Sequence, residues 1–167
     1  MQEQQQEKCR LKQTKFSFGA TSAIITNLAL ITGLRTAEYA KLSIIGGMLV
    51  IALADNISDS LGIHIYQESE CLKAREVWLS TFTNFFARLL VSFSFIFLVF
   101  FLPIKLAVIC AILWGLLLLT MMSYTIAKKR EVNPYLAMLE HVGIAILVII
   151  VANSVGQLLI SKFHFSN

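Results

Sequence analysis

Charge is scarce in this chain of 167 residues: Asp, Glu, Lys and Arg together make up 14% of it, and proline occurs only twice. With 57% hydrophobic residues and a mean hydropathy of +0.73, a soluble domain of this length is excluded, because its core could not hide so much apolar surface. Cysteine is rare as well. Cys9, Cys71 and Cys110 stand far apart, no metal-type spacing exists, and an odd count argues against a disulfide framework. They read as reduced bystanders. No nucleophile–base–orienter set, phosphate loop or HExxH-like motif is found, so the sequence makes no case for an enzyme. The net charge of +4 does not point to nucleic acid, because the basic residues cluster at the ends of apolar runs. The Gln-rich stretch Met1 to Lys15 precedes an apolar run too long for a signal-peptide core, so no cleavable targeting segment is expected.

What is present is a set of membrane-length apolar runs. They predict an all-α membrane protein with five transmembrane helices. The expected spans are 16–34, 42–66, 81–102, 106–127 and 134–160, preceded by a polar arm over 1–15 and followed by a short tail over 161–167. Pro103-Ile104-Lys105 marks a tight reversal, and Pro134 sits at a first-turn position. The polar stretch Gln67 to Ser80 lacks Gly and Pro, so the second helix is expected to run on into water before turning. Five spans put the termini on opposite sides. Lys8, Arg10, Lys12, Lys15, Lys73, Arg75, Lys128, Lys129 and Arg130 fall on the N-terminal side, against Arg35, Lys41, Lys105 and Lys162 on the other. That bias predicts a cytoplasmic N-terminus and an outside or lumenal C-terminus.

The second span carries residues that an apolar helix should avoid, Ala54-Asp55-Asn56-Ile57-Ser58-Asp59. A carboxylate at that depth costs roughly 2.5–3.5 kcal/mol on insertion scales and by default marks a functional path. Asp55 and Asp59 lie one turn apart on one helix face, which Gly62, Tyr66 and Glu70 continue, with Asn56 one step off it. Counting from the span ends, Asp59, Arg88, Glu140 with His141, and Ser22 all fall in one layer, roughly 10 Å below the cytoplasmic surface. The acids Asp55, Asp59 and Glu140 outnumber Arg88, so the layer favours a cation. Asp59 and Arg88 alternatively form a structural ion pair, which would leave Asp55 without a partner. Oxygen ligands from Asp55, Asp59, Asn56 and Glu140, with His141 near, suit Mn²⁺ or Fe²⁺. Two carboxylates one turn apart would release protons when a cation arrives, a basis for proton–cation exchange. Glu70 and Glu76 form a secondary cytoplasmic entry, or else a plain solvated face. Gly19, Ser22, Thr26 and Gly33 make a small-residue face on the first span, read as a helix-packing and dimer surface.

The order of elements resembles the vacuolar iron transporter family, including its short nodulin-like members without the cytoplasmic metal-binding insert. The first span, from Gly19-Ala20-Thr21-Ser22-Ala23-Ile24 through Ile31-Thr32-Gly33-Leu34, is similar to that family's opening helix. Ala54 to Gly62 and on to Glu70 looks like its second helix. Leu113 to Arg130 followed by Pro134 to Leu158, with Gly143 and Gly156, is similar to its last hairpin. The resemblance implies a five-helix protomer, a homodimer packed largely through first helices, and export of Fe²⁺ or Mn²⁺ from the cytoplasm against protons, with no permanently bound cofactor. It also implies a plasma (inner) membrane in a prokaryote and a vacuolar-type membrane otherwise. The chain departs from the family pattern at several places. Ser22 and Ala23 stand where the family has Asp-Gly, Asp59 stands where it has a methionine, and Gly62-Ile63-His64 replaces Gly-Glu-Tyr. Gln67 to Ser80 is too short for the glutamate-rich insert, and Arg88 is an added intramembrane cation. A membrane interaction protein that keeps the fold without transporting is the other function class these residues allow.

Overall fold

The computed structural model describes residues 19–163, and within them every element is helical. Five helices follow one another: α1 (Gly19–Leu34), α2 (Ala40–Ser69), α3 (Ala74–Phe101), α4 (Ile104–Lys129) and α5 (Pro134–Phe163). The last four are long and apolar enough to cross a membrane. With 26 to 30 residues each, they measure about 39–45 Å at ~1.5 Å per residue, more than the hydrocarbon thickness of about 30 Å. The described part of α1 is shorter and also apolar. The arm over 1–15, the first three residues of the expected first span, and Lys8, Arg10, Lys12 and Lys15 lie outside the described residues, as does the end of the tail.

The helix ends follow from local chemistry. Asn133 caps α5, its Oδ1 accepting from the Tyr135 backbone N–H at 3.0 Å, with Pro134 at the first helical position. Lys128 and Lys129 occupy the last turn of α4, where cations oppose the negative end of the helix dipole. α2 and α4 both close with a residue in the left-handed region that is not glycine, Cys71 (φ 54°) and Glu131 (φ 56°). At each, the next N–H reaches back five residues, Leu72 to the Gln67 carbonyl and Val132 to that of Ala127, which satisfies otherwise free helix-end carbonyls.

α2 runs on to Ser69, three residues past its expected span, before the turn, and α3 begins at Ala74, seven residues before the expected span. The Gln67 side chain beside this turn is buried and donates to Ser80 Oγ at 2.7 Å, which ties the two helices together as soon as they leave the turn. The last helix also extends three residues into the expected tail.

Large apolar side chains such as Leu90, Phe97, Ile109, Leu113 and Leu147 face outward. In water such a surface would aggregate, whereas in a bilayer it is the solvated face. The buried side is packed around α1. α2 pairs mainly with α3, and α5 with α4. α1 touches all four: Ser22 meets Asp59 of α2, Asn27 meets Ser92 of α3, Leu28 fills the space left by Gly115 of α4, and Gly33 lies on Gly156 of α5.

Candidate functional site

Arg88 of α3 is fully buried, with no exposed side-chain surface, and every nitrogen of its guanidinium finds an acceptor on α2. Nε donates to Asn56 Oδ1 at 2.8 Å, Nη1 pairs with Asp59 Oδ2, and Nη2 pairs with Asp55 Oδ2. The spacing of the two aspartates is what permits this. One turn of helix sets both carboxylates on the same face, from which they converge on the two terminal nitrogens, and Asn56 on the adjacent position meets the third. Ser22 of α1 adds a hydroxyl 3.5 Å from Asp59 Oδ2. The aspartates are not enclosed as the guanidinium is: their side chains keep 39% (Asp55) and 32% (Asp59) of their surface on the flank of the bundle.

Two carboxylates against one guanidinium leave one negative charge uncompensated in the cluster. A buried charge is tolerated only when paired and hydrogen-bonded, and the fork geometry of arginine gives the pairing its direction. Sequence depth brings Asp59 and Arg88 together correctly. It misses that Asp55 shares the same guanidinium, so Asp55 does not lack a partner.

One further expectation is corrected. Glu140 and His141 do not join the aspartates. α5 packs along α4, Glu140 is exposed, and His141 Nδ1 lies 2.9 Å from Ser123 Oγ of α4. Equal depth on two helices says nothing of which helix each faces. Among the described residues, no group of three or more His, Cys, Asp or Glu side chains gathers in a way that could hold a metal ion. The small-residue face of α1 is used inside the protomer: Gly19 packs against Asn84 and Arg88, and Gly33 against Gly156 and Ala152. Of the four dimer-face residues, Gly19 is buried, while Ser22, Thr26 and Gly33 remain half-exposed. Glu70 ends α2 and Glu76 lies in the first turn of α3, about 16 Å of helix away from Asp59 in the case of Glu70.

The cluster is one rung of a longer polar seam. Asn84 Nδ2 donates to Ser60 Oγ at 3.2 Å, Gln67 Nε2 to Ser80 Oγ at 2.7 Å, and Asn27 Nδ2 to Ser92 Oγ at 3.1 Å. The signal for it in the sequence is a four-residue repeat on α3: Ser80, Asn84, Arg88 and Ser92 fall on one face, opposite Gln67, Ser60 and Asn56 of the antiparallel α2. Next to Ser60 on the α2–α3 hairpin, a cavity of about 310 Å³ is lined by Leu61, His64, Trp78, Phe82 and Phe85. His64 binds Thr81 and Glu68 there, away from the aspartates.

No family model, curated protein or solved structure matches this chain.

Proposed function

We propose that this membrane protein is a proton-coupled carrier that exports a divalent cation, Fe²⁺ or Mn²⁺, from the cytoplasm, with Asp55, Asp59 and Asn56 as its oxygen ligands and Arg88 as a tethered counter-cation. The observation that carries the reading is the uneven charge of the cluster, two carboxylates to one guanidinium, between helices long and apolar enough to cross a membrane. The missing positive charge is what a cation or a proton would supply. The partial exposure of both carboxylates gives such an ion a way in without first opening the helix packing. Hard divalent cations take six or more oxygens, so a bound ion would complete its shell with water or with the aspartates of a second copy. A homodimer would close the Asp55–Asp59 flank in that way. The resemblance of the order of elements to the vacuolar iron transporter family supports the same class of cargo, and the bias of basic residues supports a cytoplasmic N-terminus. The membrane is then the plasma membrane of a prokaryote or a vacuolar-type membrane.

Uptake of Mn²⁺, Fe²⁺, Co²⁺ and Zn²⁺ by proteoliposomes, with and without a proton gradient, tests the proposal. Gradient-driven movement of at least Mn²⁺ or Fe²⁺ is expected. No movement of any of the four refutes it.

One observation favours a second reading. Both aspartates and Asn56 are already engaged by Arg88, as they would be in a membrane interaction protein in which the cluster only fixes α2 against α3. The same assay separates the two.

A further inference from the structure

Four amide side chains on the α1–α2–α3 seam have one end without a hydrogen-bond partner among the described residues: Asn27 Oδ1, Asn56 Nδ2, Gln67 Oε1 and Asn84 Oδ1. Each residue is at most 2% exposed. Exchanging the oxygen and nitrogen of an amide does not remove the deficit. Gln67 and Asn84 each meet a single serine hydroxyl, so either orientation leaves one end free. Turning Asn56 would set its NH₂ against the Arg88 guanidinium, and turning Asn27 would forfeit its 2.8 Å bond to the Ala23 carbonyl. An unpaired polar group in an apolar medium carries the full cost of its lost hydration, so four of them in one seam call for partners.

We infer that the seam binds water, with internal water molecules pairing these four amide ends in a line that runs from Gln67 past Asn84 to the Arg88 cluster and on to Asn27. An internal water needs two to four polar partners, and the helical repeat supplies them. Asn84 has Ser80 and Arg88 one turn to either side, and Asn56 has Ser60. The rungs at Ser80, Asn84, Arg88 and Ser92 span about 18 Å of α3. Serine is the side chain opposite three of the four amides, and its hydroxyl can both donate to and accept from a water beside it. This hydration follows from the hydrogen-bond accounting and does not depend on the transport reading. Where transport occurs, the same waters offer a proton path from the α2–α3 turn to the aspartates.

Water-edited solid-state NMR on the isotope-labelled full chain in lipid bilayers reads this directly, as the rate at which water magnetisation reaches each side chain. The side-chain amides of Asn56 and Asn84 and the Nε–H of Arg88 are expected to build up at a rate comparable to the exposed Asn133 amide, and several-fold faster than the backbone amides of lipid-facing Leu90 and Ile109. Build-up as slow as at Leu90 and Ile109 overturns the inference, whatever the transport assay shows. Ser60→Val provides a second reading: filling the seam is expected to slow transfer at Asn84 relative to Asn133, and an unchanged rate in the folded variant contradicts bound water there.

Discussion

Arg88 is the residue on which the polar interior turns, and its loss is expected to cost more than the loss of either aspartate. Arg88→Gln strips the partner from two carboxylates at once. Removing one member of a buried pair typically costs about 3–5 kcal/mol, and that range is expected here. Asp55→Asn or Asp59→Asn leaves one carboxylate on one guanidinium, a balanced pair, so each single change is expected to cost about 1.5 kcal/mol or less, the low end for a charged hydrogen bond. The double change Asp55→Asn with Asp59→Asn leaves the guanidinium bare and is expected to match Arg88→Gln. Thermal unfolding of the four variants in one detergent checks the order. The cavity left by Arg88→Ala also has a defined shape, three acceptors arranged for one planar cation. Added methylguanidinium is expected to raise the melting temperature of that variant, while tetramethylammonium at equal concentration is not. At this scale, part of the site was legible from the chain alone. Counting residues from the span ends puts Asp59 and Arg88 at one depth. Depth carries no information on azimuth, and for that reason Glu140 is assigned to the cluster from sequence while in the structure it faces outward.

At the scale of the helix, the short α1 does the organising, although α2 holds the unusual residues. Glycine makes this possible where α1 crosses α5. A Cβ on Gly156 would run into the backbone carbonyl of Gly33, and a backbone obstacle cannot rotate away as a side chain can. Gly156→Ala is therefore expected to push α5 off α1 at a cost of about 1–3 kcal/mol, the range for overpacking. Gly143→Ala on the same helix meets open space and is expected to be neutral or slightly stabilising. Comparing the two melting temperatures checks the crossing. The two left-handed closures give the opposite kind of prediction. Cys71→Gly and Glu131→Gly relieve a backbone conformation that disfavours a side chain by about 1 kcal/mol, so each is expected to raise the unfolding temperature. Apolar runs located four of the five helices to within a few residues at most ends, because membrane length and composition are read directly from sequence. The start of α3 was not, because the turn before it is closed by Cys71 without glycine or proline, the two residues that usually mark such a turn.

The whole molecule is a bundle whose outer surface is matched to lipid and whose inner seam is matched to charge. A row of serines and amides leads to one arginine held by two aspartates, and the total charge of that group is uneven. Any account of function has to say what balances it. In the carrier proposed here, a moving cation or proton does so. In a static membrane protein, nothing moves, and neutralising one aspartate merely evens the charge. Transport by the two single variants in proteoliposomes therefore tests the central claim most directly. Wild type, Asp55→Asn and Asp59→Asn are compared for proton-driven Mn²⁺ movement, with folding of each verified by its melting curve. The carrier account predicts movement in the wild type and its loss in both variants while they stay folded. Full movement in either folded variant, or none in the wild type, contradicts it.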